Sequence, residues 1–198
     1  MRSLVFGDSQ AQAMGPALAR LVGGADVVAH PGKSRSSLKA LLPHGGPWER
    51  AWVFAGGNDA SGASALAVVD LLRTVPAQHV TYVPPPPMTH ATDPGRLKSV
   101  FGQTDPDHWL QSGKAQAREA KAATFAEAAR HAGFDVADLR DGLQPFPDLP
   151  DGVHVTGPVA DQAVGWLARR AARGSMSPWV VGALLAAIGL FVWRRRGR

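Results

Sequence analysis

The sequence predicts an α/β protein, a three-layer α/β/α sandwich built on a roughly five-stranded parallel sheet. Three observations carry this. Short apolar runs alternate with longer segments of helical periodicity from the N-terminus to Ala172. The 198 residues, 45% of them apolar, suffice for one ordinary core and are too few for two domains of normal size. The 22 glycines and 16 prolines fall largely between the apolar runs, where they mark turns rather than disorder.

Taken in order, Leu4-Val5-Phe6 is a short apolar strand ending at Gly7. Residues 11–21 read as a helix closed by Gly23-Gly24, and Asp26-Val27-Val28-Ala29 as a second strand before the Pro31-Gly32 turn. Residues 34–42 predict a short helix, and residues 51–55 a third strand bounded by Gly56-Gly57. A helix over 63–73 follows from the spacing of Leu66, Val69 and Leu72. Val80-Thr81-Tyr82-Val83 is a fourth strand, stopped by Pro84 to Pro87. From Met88 to Ser112 no clean period emerges, which predicts a long loop with one helical turn near 96–101. Residues 113–132 predict an amphipathic helix capped by Ser112 and ended by Gly133. Phe134-Asp135-Val136 is a short fifth strand, and residues 159–172 a last helix with Val164 and Leu167 inward.

The chain has no cysteine, which excludes disulfides, thiolate metal sites and thiol nucleophiles. The formal charge of +5 suggests nucleic acid until the arginines are located. Arg169, Arg170, Arg173, Arg194, Arg195, Arg196 and Arg198 crowd the C-terminal region, and the body is near neutral. They flank an uncharged apolar stretch from Pro178-Trp179 to Val192-Trp193. At about 16–18 residues it lies at the short edge of what crosses a hydrocarbon core, and its bracketing tryptophans suit two interfaces. The expected organisation is therefore a folded domain over 1–173, a linker at 174–177, one membrane helix at 178–193 and a basic tail at 194–198. A membrane is the expected partner and nucleic acid is not. Met1-Arg2-Ser3 leads straight into the first strand, so no N-terminal signal peptide is expected. Arginines on both flanks leave the side of the membrane undecided.

Chemistry enters through three separated strings: Gly7-Asp8-Ser9, Gly56-Gly57-Asn58-Asp59 and Asp151-Gly152-Val153-His154. In an open parallel sheet, ligands bind at the carboxyl ends of the strands. Ser9, Gly32 and Asn58 each follow a predicted strand, so all three belong to that edge. A serine hydroxyl needs a base to become a nucleophile. His154 is the candidate base, and Asp151, three residues earlier, can fold back to orient the imidazole and stabilise its charged form. The N–H groups of Ser9 and Gly32 and the Asn58 carboxamide are candidate donors to a tetrahedral oxyanion. Asp8 and Asp59 are expected to shape their loops by hydrogen bonding. His90, His108 and Trp109 fall in the long loop and are candidate cleft residues, whereas His79 and His131 read as surface residues. No cluster has metal-ligand spacing, and neither metal nor cofactor is expected.

These strings, in this order, resemble the SGNH hydrolase superfamily, the GDSL-type esterases and lipases, over most of residues 3–170. The resemblance implies a flavodoxin-like sheet. It gives Ser9 as nucleophile in a Gly-Asp-Ser block, Gly32 as an oxyanion glycine, Asn58 as a carboxamide donor in a Gly-x-Asn-Asp block, and Asp151 and His154 in an Asp-x-x-His block. One departure is Gln10, which stands where leucine is common. The resemblance implies ester substrates broadly, among them acetylated sugars, lipids and thioesters. The expected activity is hydrolysis of short-chain or acetyl esters on a small molecule, glycan or lipid of the cell envelope. Two alternatives stand beside it: an O-acyltransferase using the same serine, and a membrane-anchored binding module without catalysis.

Overall fold

The computed structural model describes residues 2–59 and 63–174. Five strands form one parallel sheet in the order β2-β1-β3-β4-β5: β1 (Ser3–Gly7), β2 (Asp26–Ala29), β3 (Trp48–Phe54), β4 (Ala77–Val83) and β5 (Asp135–Val136). Between and after them run α1 (Ser9–Leu21), α2 (Arg35–Ala40), α3 (Leu66–Thr74), α4 (Pro94–Phe101), α5 (His108–Gln111), α6 (Lys114–His131), α7 (Leu139–Gly142) and α8 (Gly157–Gly174). The expected α/β/α sandwich is what forms.

The two-residue period of the strands builds both cores. Leu4, Phe6, Ala51, Val53 and Tyr82 face one way and pack with Leu38 of α2, Val68 and Leu72 of α3, and Phe125 and Ala129 of α6. Val5, Trp52, Phe54 and Val83 face the other way, against Met14 and Leu18 of α1 and Ala163, Val164 and Leu167 of α8. Strands covered on both faces must be apolar at successive positions, and Leu4-Val5-Phe6 is. Because β1 lies between β2 and β3, the loops after those strands stand on either side of the loop after β1. That order positions the site.

Several expectations change. The stretch from Met88 to Ser112 is not mostly loop: α4 begins at Asp93, whose carboxylate accepts from Arg96 N–H at 3.0 Å, with Pro94 in its first turn, and it ends at left-handed Gly102. The helix is short and buries only Leu97, so it shows no apolar period in the sequence. The cap of α6 is Gly113 rather than Ser112, whose hydroxyl donates to the Trp109 carbonyl at 3.2 Å. The third strand starts earlier than predicted, at Trp48, because its N–H joins Pro76 O and its indole N–H reaches Asp26. Helix α8 runs on to Gly174, where the linker was expected to begin. Among the described residues no helix is long and apolar enough to cross a membrane. The predicted membrane helix at 178–193 and the basic tail lie outside the described residues.

Candidate active site

The site begins where β1 turns into α1. Gly7 adopts φ +152°, and a Cβ there would fall 2.0 Å from the Phe54 carbonyl oxygen, so the strand end closes on β3 only with glycine. Asp8 then donates its N–H to Phe54 O at 3.0 Å and caps α1 by accepting from Gln10 N–H at 3.0 Å. Ser9 becomes the first residue of α1. Its N–H has no intrahelical partner and sits at the positive end of the helix dipole.

Ser9 Oγ lies 3.0 Å from His154 Nε2, and His154 Nδ1 lies 3.0 Å from Asp151 Oδ2. An ionised carboxylate only accepts, so Nδ1 carries the proton and Nε2 turns its lone pair to Ser9. Asp151 holds the turn together as well. Its Oδ1 accepts from the N–H groups of Val153 at 3.0 Å and His154 at 2.7 Å, which explains the three-residue spacing. The carboxylate is fully buried. Burial alone would raise its pKa, but the bonds from the His154 ring and from the His154 and Val153 N–H groups prevail and hold it at about 2. Gly152 is obligatory between them: its φ is +73°, and a Cβ would meet Trp109 Cδ1 at 2.6 Å and Thr89 O at 2.7 Å.

The segment 88–112 backs this arrangement. Trp109 is buried, and its indole N–H donates to Asp151 O at 3.1 Å. Phe101 stacks on the His154 ring at 5.8 Å between centroids and 3° between planes. Arg96 Nε stands 3.5 Å from Asp151 Oδ2. Trp109 thus holds the Asp151 loop from within and does not line an open cleft. His90 pairs with Asp107 at 2.8 Å, and His79 and His131 are exposed.

Gln10 is the positioning residue that sequence reasoning missed. Its side chain is buried, with Nε2 donating to Val153 O at 2.9 Å and Oε1 accepting from Val155 N–H at 3.2 Å. One carboxamide therefore grips the backbone on both sides of His154, from the residue beside the nucleophile. A signal was present: Gln10 shares the buried stripe of α1 with Met14 and Leu18, and a polar group on such a stripe needs partners. Leucine at this position would leave Val153 O and Val155 N–H unpaired, at a cost of about 1–3 kcal/mol. We expect Gln10→Leu to lower kcat of ester hydrolysis by roughly 10–100-fold with KM little changed. Steady-state kinetics beside a denaturation curve check this, and an unchanged kcat would remove Gln10 from the site.

Gly32 and Asn58 occupy the flanking loops. Gly32 follows β2 with φ +74° and is exposed, and exposed Asn58 donates its side-chain N–H to Lys33 O at 3.4 Å, which ties the two loops together. A buried pair reinforces the tie. Arg35 Nε reaches Asp59 Oδ2 at 2.7 Å, Arg35 N–H donates to Asp59 Oδ1 at 3.2 Å, and the guanidinium lies 3.9 Å from the Phe125 ring centroid. Asp59 is thus a loop-shaping residue, as is Asp8. Burial pushes the Asp8 carboxyl up to about 6, against the bonds from Gln10 and Gly57 N–H groups and the charge of Arg118. Among the described residues no group of acidic, histidine or cysteine side chains could hold a metal ion.

Solved structures share this arrangement of strands and helices. The chain is similar to an aryl esterase of M. smegmatis, with TM-score 0.66 and 18% identity over 87% of this chain and 98% of that one. The fold is that of the SGNH hydrolases. A second structure, Est24, a carbohydrate acetylesterase from Sinorhizobium meliloti, gives TM-score 0.64 and 17% identity over 87% and 98% of the two chains. The C-terminal catalytic domain of the peptidoglycan O-acetyltransferase OatA from Streptococcus pneumoniae gives 0.55 and 16% over 84% and 90%. No family model and no curated protein matches the sequence.

Proposed function

We propose that this protein is a serine esterase whose nucleophile is Ser9, general base His154 and orienting carboxylate Asp151. The observation that carries the reading is the unbroken series of 3.0 Å contacts from Ser9 Oγ through His154 to the buried Asp151. Ser9 Oγ attacks the ester carbonyl carbon as its proton passes to His154 Nε2. The tetrahedral oxyanion is received by the N–H groups of Ser9 and Gly32 and the Asn58 carboxamide. Collapse expels the alcohol, which takes the proton from His154, and leaves an acyl ester on Ser9. Water then gives a proton to His154, attacks that ester and releases the acid, restoring Ser9.

Short acyl groups, acetyl foremost, are the proposed substrates. The two similar esterases carry carbohydrate acetyl and aryl ester activity in their names, which supports the class without choosing the alcohol. Hydrolysis of p-nitrophenyl acetate against the octanoate tests it: the acetate is expected to turn over faster, and faster turnover of the octanoate would overturn the short-chain reading. A second reading has an observation behind it, the similarity to an O-acetyltransferase domain. In that reading a sugar hydroxyl replaces water in the second step. Product analysis with and without a sugar acceptor separates the two, since only transfer consumes acetyl groups into the sugar. Anchoring through residues 178–193 is part of the proposal. Membrane fractionation of the full chain beside a chain ending at Gly174 tests it.

A further inference from the structure

Beside the Gly57–Asn58 loop a cleft of about 500 Å³ opens along α6. One face of that helix supplies Lys114, Arg118 and Lys121, at i, i+4 and i+7, and Gly57, Met88 and Phe125 complete the walls. No acidic side chain lines it among the described residues. The cleft reaches the catalytic edge at Gly57, where a Cβ would stand 3.3 Å from Asp8 Oδ2 and 3.4 Å from Arg118 Nη2.

Arg35, Lys39, Arg96, Arg140 and Arg170 each meet a carboxylate within 4 Å. Among the described residues, Lys114, Arg118 and Lys121 meet none. Arg118 is buried, yet its hydrogen bond goes to a carbonyl, from Nε to Pro86 O at 2.9 Å. Lys121 Nζ likewise donates to the Asp59 carbonyl at 2.6 Å, while the Asp59 carboxylate is taken by Arg35. Lys114 Nζ lies 5.3 Å from the Trp109 ring centroid. Among the described residues no carboxylate contacts the buried Arg118 guanidinium, whose charge is met only at longer range by Asp8 and Asp151, so an anionic ligand in the cleft would complete its pairing. Asp8 is the carboxylate that reaches this wall, at Gly57.

We propose that this cleft is an anion subsite of the esterase, so that the ester it takes carries a carboxylate or similar acidic group. The inference rests on the esterase reading above. The apolar walls from Met88 and Phe125 fit an organic acid rather than a bare inorganic ion. Charge-assisted bonds to Arg118 and the two lysines would select it.

Two matched pairs of esters test this at low ionic strength. p-Nitrophenyl hemisuccinate against p-nitrophenyl butyrate places the charge on the acyl side. 4-Carboxyphenyl acetate against 4-carbamoylphenyl acetate places it on the alcohol side. One arm is expected to show kcat/KM about tenfold higher for the charged ester, a factor corresponding to about 1.4 kcal/mol. In the double variant Lys114→Gln, Lys121→Gln the ratio should fall toward one, and 0.5 M NaCl should compress it in the wild type. If the neutral esters turn over and neither charged partner is preferred, the subsite is refuted and the esterase reading stands. A preference that survives unchanged in the double variant also refutes the assignment. If no ester turns over, the esterase reading falls and the subsite with it.

Discussion

Ser9→Ala is expected to abolish turnover of p-nitrophenyl acetate, with kcat reduced by at least about 10⁴-fold, and His154→Ala to do nearly the same. The two losses should not add, because the hydroxyl without its base and the base without its hydroxyl each remove the same step. The double variant is therefore expected near the level of either single one. Ser9→Ala should fold normally. Its hydroxyl meets His154 Nε2, and α1 draws its cap from Asp8, not from Ser9. A circular dichroism melt close to the wild type would separate lost chemistry from lost structure. Residual activity within tenfold of wild type would mean that another group supplies the nucleophile.

Asp151→Asn carries the second largest effect, and it acts on two properties at once. The carboxamide is near in shape but can present N–H to His154 Nδ1, which favours the tautomer with the proton on Nε2, the wrong side for a base. A fall in kcat of about 10³–10⁴ is expected, with KM changed far less. The stability effect has a definite sign. Asp151 is held at about 2 in the folded protein against a usual value near 3.8. Its native partners prefer the ionised form, so its stabilisation is fully present above about pH 4 and is lost as pH falls toward 2. The shift of nearly two pH units corresponds to roughly 2–3 kcal/mol. Urea denaturation of wild type between pH 5 and pH 2.5 should reveal that loss. The Asn variant should lack this component of the pH dependence, and an identical slope would show that Asp151 is not held as the geometry implies.

Much of this site can be read from the chain because its spacings are local. Gly7-Asp8-Ser9 is a strand end, a cap and a first helical residue, and the first two identities have a backbone reason in the fold. Asp151 and His154 are joined by a turn that the carboxylate itself ties. What escapes the sequence is contact between distant segments of similar polarity. Gln10 meets Val153 and Val155 across more than 140 residues, and nothing near Gln10 in the chain announces partners there. Likewise α4 carries Phe101 to the His154 ring, yet its eight residues bury only Leu97 and leave no apolar period to read. Arg118 follows the same rule. It sits on a stripe with Ala122, Phe125 and Ala129, where alanines dilute the pattern and a buried guanidinium looks like one more surface charge. The sheet was easier, since its central strands are apolar where both faces are covered, and the polar starts of β3 at Trp48-Glu49-Arg50 and of β4 at Ala77-Gln78-His79 concealed the boundaries.

The proposed function stands on Ser9 being a nucleophile activated by His154. Labelling of the purified protein with a fluorophosphonate, followed by peptide mass mapping, tests it most directly. One adduct is expected, on the peptide carrying Ser9, absent in Ser9→Ala and formed far more slowly in His154→Ala. No adduct on the folded wild type, or an adduct on a different residue, would contradict it.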